Sequence, residues 1–178
     1  GVKHTIYTGF MRTHEDPTSP LWFIAEDHVK TEKYLKESEI TYTIFANGFY
    51  MDMLMDYVGE QILETKTIFV PAGDGKINFV LRNEVAEALA NVLTTNGHEN
   101  KTYNIGIEQP VSFGEIAKHI SEVTGVAINY VTPEPDAYQQ TLMQHGVPED
   151  YARMFTAFAV AFAADTVNVP TIELTQLL

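Results

Sequence analysis

Near its start the chain sets a long amphipathic stretch between two β-rich runs, and that order leaves few folds open. The first run, His4 to Thr8, is closed by Gly9 and reads as a buried strand. A loop dense in turn residues, Arg12 to Pro20, leads into Leu21 to Ser38, where Leu21, Ile24, Ala25, His28, Val29, Glu32 and Leu35 recur at helical spacing. Ile40 to Ala46 is then β-branched and aromatic, the composition of a strand. A helix of this length between two strands makes a crossover, which requires parallel strands with the helix on one face. In such sheets ligands sit beyond the carboxyl ends of the strands. Those ends are Thr8-Gly9-Phe10 and Asn47-Gly48-Phe49-Tyr50, so the two loops are expected to face one site.

The alternation continues. A helix is expected over Met51 to Leu63, a strand over Thr67 to Pro71, a turn at Ala72 to Lys76, an extended segment over Ile77 to Leu81, a helix over Asn83 to Thr95 and a strand over Thr102 to Ile105. Ser112 with Glu115 three residues on is a capping box, opening a helix that runs to about Val123 and stops at Gly125. Ala127 to Val131 reads as the last strand. From Asp136 the pattern changes to two helical stretches, Asp136 to His145 and Pro148 to Ala164. The chain is therefore α/β, with residues 1–131 read as a sheet-and-helix domain and 132–178 as a mainly helical lid or substrate subdomain.

The 178 residues carry 24 acidic and 11 basic side chains, a net charge of −13, and no cysteine. Disulfides, thiolate nucleophiles and thiolate metal sites are thereby excluded. An acidic chain without a Lys/Arg cluster lacks the positive face that neutralises phosphates, which argues against nucleic acid as a partner. The longest apolar run, Met154 to Ala164, is about half of the roughly 20 residues that span a membrane. Six histidines are scattered without a pair spaced for a metal, so no metal is expected, and no Gly-x-Ser-x-Gly elbow occurs. Gly73-Asp74-Gly75-Lys76 lacks the spacing of a phosphate loop and the Ser/Thr that follows one, and it reads as a turn. A soluble, cytoplasmic protein is expected.

Several segments, taken in order, carry a resemblance: Tyr7-Thr8, the helix with His28 and Thr31-Glu32-Lys33, the loop Asn47-Gly48-Phe49-Tyr50, the turn Ala72 to Ile77, the helix start Arg82-Asn83-Glu84-Val85-Ala86, and Gly97 to Tyr103. Their order and spacing resemble the NmrA-like atypical short-chain dehydrogenase/reductases, and within them the bacterial type 2 NAD(P)H:quinone oxidoreductases. The resemblance covers nearly the whole chain, although no one motif is specific. It implies the C-terminal part of a Rossmann-type parallel sheet with a small helical substrate subdomain. It also implies a nicotinamide cofactor, NADPH preferred and NAD possible, with no flavin, and a quinone-like small molecule as substrate. The family's opening strand, Gly-x-x-Gly-x-x-Gly turn and helix, whose backbone N–H groups receive the cofactor pyrophosphate, have no counterpart in the sequence. Roughly a hundred residues, about the first half of a Rossmann domain, are therefore expected before Gly1. The sheet edge left open there is expected to pair with that segment or with another copy as a homo-oligomer.

The resemblance assigns Thr8 and His28 to catalysis, Tyr7, Thr8, Asn47 and Gly48 to the cofactor, and Asn47, Phe49 and Tyr50 to the substrate. Each assignment has a plainer alternative. Thr8 either hydrogen-bonds a substrate carbonyl beside the nicotinamide or merely satisfies a neighbouring amide at a strand end. His28 either supplies a proton or bonds the ribose, or packs half-buried on the sheet. The loop at Gly48 either approaches a planar ring, with Asn47 holding an amide or carbonyl and Phe49 and Tyr50 as walls, or is a glycine turn with core aromatics. The family's Tyr-x-x-x-Lys pair falls on Ile24 and His28. Ile24 has no proton to give, so the family's phenolic acid is missing. A quinone, which aromatises on accepting hydride, tolerates that loss better than a ketone. Tyr151, Met154, Phe155, Phe158 and Phe162 form a stripe at core spacing, in a portion that covers the substrate pocket in the family. Three readings stay open: first an NAD(P)H-dependent reductase of quinones or similar aromatic acceptors, second an NAD(P)-sensing regulatory protein without turnover, and third a truncated, inactive remnant. The missing phenol favours the second, the Asn-Gly-aromatic-Tyr loop the first.

Overall fold

The computed structural model describes residues 2–178. Strands β1 (His4–Phe10) and β2 (Thr41–Asn47) pair in parallel across helix α1 (Trp22–Glu37), in register from His4 opposite Thr41 to Phe10 opposite Asn47. The expected crossover is present. Thr43 to Asn47 of β2 are all buried, as a strand flanked on both sides requires. That flanking strand is β6 (Lys101–Ile105), again parallel, giving the order β1-β2-β6. Among the described residues β1 has β2 as its one neighbour. Two further parallel pairs stand beside this sheet: β3 (Phe49–Tyr50) with β5 (Phe79–Val80), and β4 (Thr67–Phe69) with β7 (Asn129–Val131).

One expectation fails. Instead of a single helix over Met51 to Leu63, the chain makes a 3₁₀ turn at Met51–Met53, then α2 (Leu54–Val58), a break at Gly59 and the short α3 (Ile62–Thr65). Gly59 sits at φ +86°, which ends a right-handed helix. Tyr57 and Val58 before the break and Ile62 after it all reach the core. Helices α4 (Arg82–Thr94) and α5 (Phe113–Thr124) fall where expected. The capping box is formed: the Glu115 amide donates to Ser112 Oγ at 3.2 Å, and the Glu115 carboxylate accepts the Ser112 amide at 2.8 Å. The Gly73 to Lys76 segment is a turn with three of its four amides bonded, Gly73 to Thr132 Oγ1, Gly75 to the Ala72 carbonyl and Lys76 to Asp165 Oδ1. It offers no cradle for a phosphate.

Helices α6 (Pro135–Gln144) and α7 (Glu149–Ala163) follow. Ala159, Ala161 and Phe162 of α7 are buried in the cluster that also holds Phe49, Ile68, Val70 and Phe113, so the helices and the β4–β7 pair share one core. The chain then returns to the first sheet. Thr171 donates its amide to the Ile107 carbonyl and its hydroxyl to the Asn104 carbonyl. A helix that the pattern does not announce, α8 (Glu173–Leu177), buries Leu174 against Val85, Val92 and Ile105. No helix among the described residues is long and apolar enough to cross a membrane.

Candidate active site at the strand ends

The carboxyl ends of β1 and β2 stand side by side, with the Met11 amide donating to the Asn47 carbonyl at 2.8 Å. A cavity of about 240 Å³ opens there. Thr8, Gly9 and Phe10 line it from β1, Ile24 and His28 from α1, Asn47 to Tyr50 from the end of β2, with Met53 and Phe158 completing the wall. Both loops therefore meet at one site. Ile24 and His28 share it because residues four apart lie on one helix face.

Of the residues assigned by resemblance, Thr8, His28, Asn47, Gly48, Phe49 and Tyr50 line the cavity and Tyr7 does not. The Tyr7 hydroxyl instead meets His28 Nδ1 at 2.7 Å. A phenol is a stronger acid than a neutral imidazole, so the hydroxyl donates and Nδ1 accepts, which leaves the second proton site, Nε2, protonated. Burial lowers the His28 pKa from its ordinary value, and the Arg12 charge lowers it further, against a smaller opposing pull from Glu32 and Asp27. The ring is therefore neutral at pH 7, with an N–H free to donate.

Asn47 is 2% exposed. Its Nδ2 donates to the Tyr50 hydroxyl at 3.1 Å, and its Oδ1 is buried without a partner. Whichever way the amide is turned, one end bonds Tyr50 and the other has no protein partner. Tyr50 is further fixed by the Arg82 guanidinium, 4.9 Å over its ring. Phe49 serves both core and cavity: its ring packs edge-on against Tyr57, Phe79, Phe158 and Phe162 at 5.1–6.0 Å. Of the aromatic stripe on α7, Phe158 reaches the cavity, Phe162 is core and Tyr151 is exposed.

Gly48 owes its identity to packing. A Cβ there would stand 2.6 Å from the Asn78 carbonyl oxygen, which accepts the Phe49 amide at 2.8 Å. Asn78 was not visible as a site residue in the sequence. It is fully buried, its Nδ2 donates to the Ile107 and Val169 carbonyls, and its Oδ1 accepts the Ile107 amide at 2.7 Å. It thus ties the 47–50 loop to the segment after β6 and to the chain's last stretch.

A second support lies under β1. Arg12 Nη1 and Nη2 each meet a Glu32 carboxylate oxygen at 2.9 Å, with the side chains 6% and 7% exposed. Nη1 also donates to the Phe10 carbonyl at 2.8 Å, and Nη2 reaches Glu15. Burial works against the Arg12 charge, but the bonds and field of Glu32, helped by Glu15, outweigh it and raise the guanidinium pKa. Glu32 Oε1 occupies the place a Gly9 Cβ would need, 2.7 Å from it. Glu32 is one helical turn beyond His28, so the pair fixes the β1 end and the His28 helix to each other.

A parallel α/β sheet with its cavity at the strand carboxyl ends defines the class: the fold is that of the Rossmann-type NAD(P)-binding reductases. The NADP(H) complex of Citrobacter sp. triphenylmethane reductase superposes with a TM-score of 0.90 at 34% identity, over 99% of this chain and 61% of that one. The NADPH complex of the Escherichia coli NADPH-dependent quinone oxidoreductase gives 0.88 at 30% identity, over 99% and 60%. The chain belongs to the NmrA-like family, whose pattern matches residues 1–176. It is 33% identical over 156 residues to quinone oxidoreductase 2 of E. coli K12 (86% of this chain, 52% of that protein) and 28% identical over 153 residues to the NAD(P)H azoreductase of Xenophilus azovorans (85% and 52%). The chain thus spans about half the length of the curated relatives it matches. Among the described residues no three His, Asp or Glu side chains gather as a metal site.

Proposed function

We propose that this chain forms the acceptor-facing part of an NAD(P)H-dependent oxidoreductase, NADPH preferred, that reduces quinones or similar aromatic acceptors by hydride transfer. In this reading residues 1–131 carry the nicotinamide side and residues 132–178 the helical wall over the acceptor. The observation that carries it is Asn47, a buried amide on the cavity wall with one end lacking a partner. Such an end costs roughly 1–3 kcal/mol when unpaired, and a carboxamide supplies the complementary group. The residues therefore fit the nicotinamide end of the cofactor. A Gly-x-x-Gly-x-x-Gly turn, whose amides would receive the pyrophosphate, is not among these residues.

When bound, the reduced nicotinamide supplies the hydride. The chain's own residues orient the acceptor and stabilise its charge. Phe49, Tyr50 and Phe158 hold a flat ring and exclude water. Thr8 donates its hydroxyl to an acceptor carbonyl. Neutral His28, oriented by Tyr7, donates Nε2–H to the oxygen on which negative charge develops, as a neutral imidazole does elsewhere in enolate chemistry. A quinone that takes up one hydride leaves as the hydroquinone after gaining one proton from solvent. The relatives support the acceptor class, being reductases of a quinone, of azo compounds and of triphenylmethane dyes by name. A cavity of about 240 Å³ lies below the roughly 300–1,000 Å³ that takes drug-sized ligands, which suits a one- or two-ring acceptor.

The test is NADPH oxidation by the full-length protein with and without benzoquinone and naphthoquinone. Acceptor-dependent turnover is expected, and its absence across several quinones overturns the enzyme reading. Ile24 on the cavity wall, where the family's phenol would stand, favours a second reading, an NAD(P)-sensing regulatory protein. Tight NADPH binding without turnover on any acceptor would be its result.

A further inference from the structure

A larger cavity, of about 700 Å³, opens between α2, α3, β4 and α6 and shares no lining residue with the one at the strand ends. Its wall includes Tyr57 and Tyr138, 6% and 3% exposed. Neither hydroxyl has a hydrogen-bond partner, and neither touches water. Buried phenols normally find an acceptor, as the partly buried Tyr130 does at the Val70 and Gly73 carbonyls. Four buried side-chain polar atoms among the described residues lack a partner, and two of the four belong to the wall of this one cavity. The remaining wall is apolar at Val58, Phe69 and Leu142, while the carboxylates of Asp56 and Glu60 stand exposed beside it.

We propose that this cavity is a second small-molecule site, for an uncharged or cationic compound with an aromatic body and a carbonyl-type acceptor that the Tyr57 and Tyr138 hydroxyls receive. Two unpaired donors call for an acceptor on the ligand. The apolar wall calls for a hydrophobic body, and two carboxylates repel an anion. Burial pushes the pKa of both phenols up, so both remain donors at neutral pH. The hydroxyls are covered, and an acceptor reaches them by parting the side chains over them. The tyrosines themselves therefore report its arrival. The proposal stands apart from the reductase reading, because none of the strand-end residues takes part.

Acetophenone is the probe, α-methylstyrene its isostere without the oxygen, and benzoate its anionic counterpart. The full-length protein is labelled with 3-fluorotyrosine, and the Tyr138 and Tyr57 fluorine signals are assigned by their loss in Tyr138→Phe and Tyr57→Phe. Tyr138 is the cleaner reporter, since the Tyr57 ring packs at 5.8 Å on Phe49 of the other cavity. Acetophenone is expected to shift the Tyr138 signal saturably, and α-methylstyrene to bind about thirtyfold more weakly, the usual loss for two hydrogen bonds. Benzoate should leave the signal unmoved. In Tyr138→Phe, read at Tyr57, the preference for acetophenone should shrink; in Thr141→Trp, which places an indole in the cavity, binding should weaken. Tyr138→Phe deletes an unpartnered hydroxyl, so the remaining fluorine signals are expected at their parent positions. Absence of a saturable shift, equal binding of acetophenone and α-methylstyrene, binding of benzoate as tight as that of acetophenone, or undiminished binding in Thr141→Trp overturns the proposal.

Discussion

Replacing Arg12 by methionine removes the partner of a carboxylate that has no other. Glu32 meets the guanidinium through two bonds of 2.9 Å, and its side chain is 7% exposed. Breaking one side of a buried pair costs about 3–5 kcal/mol, because the remaining charge is left desolvated. For a chain of this size that corresponds to a fall in Tm of roughly 6–20 °C. Glu32→Leu should fall at the lower end, since Arg12 keeps Glu15 and the Phe10 carbonyl. The pair as a whole is worth much less. Arg12 Nε is buried without a partner, and burying both ions has its own cost. The double variant Arg12→Met/Glu32→Leu should therefore come back to within about 1–2 kcal/mol of the parent. Urea denaturation of the four proteins, followed by far-ultraviolet circular dichroism, gives the cycle. Losses that simply add, or a single variant that loses less than about 1 kcal/mol, would refute the reasoning.

Other consequences follow from the site and the caps. His28 is held below its ordinary pKa, chiefly by burial and then by Arg12, so any pH dependence that its protonation gives to turnover should be centred below about 6.5; a limb centred above pH 7 contradicts this. By linkage the same lowered pKa gives a stability contribution present above the unfolded value near 6.5 and lost as pH falls through the folded value. His28→Ala should lower kcat by about a hundredfold while the KM for NADPH stays within twofold, roughly, and Tyr7→Phe should lower kcat less; stopped-flow traces that show no change in hydride transfer for His28→Ala count against a role for the imidazole. Ser112→Ala removes the acceptor of the Glu115 amide and should cost about 1 kcal/mol in a denaturation curve. The chain of residues 1–178, whose β1 has a single strand beside it among the described residues, should self-associate on concentration in size-exclusion chromatography, and a monomer at every concentration removes the edge as a pairing surface.

The crossover unit was legible in the sequence because its signal is local. Leu21, Ala25, Glu32 and Leu35 repeat on one helix face, β-branched runs stand on either side, and handedness and ligand placement then follow from general rules. Those rules bring the strand ends at Thr8 and at Asn47 to Tyr50 to one site, while His28 joins them only through the family resemblance. The Met51 to Leu63 stretch misled because its apolar residues keep a helical rhythm while Gly59 takes a positive φ, and the burial that rewards the break comes from β4 and α7, far along the chain.

The supports of the site had no such rhythm. Arg12 sits in a loop of turn residues and Glu32 at what reads as a helix core position, and nothing in the spacing of the two announces that they meet. Asn78 is a lone amide in an apolar extended run, just before β5, yet it holds three separated segments through Ile107, Val169 and Phe49. One trace was available. Gly9 and Gly48 stand at the two strand ends, and each leaves room for a polar atom arriving from elsewhere, Glu32 Oε1 in one case and the Asn78 carbonyl in the other. A glycine at the carboxyl end of a buried parallel strand is commonly taken as room for a ligand. Here a Cβ at either position would meet the protein itself, so the glycines let those supports come close to the strand ends, and the proposed site rests on Thr8 and Asn47 beside them.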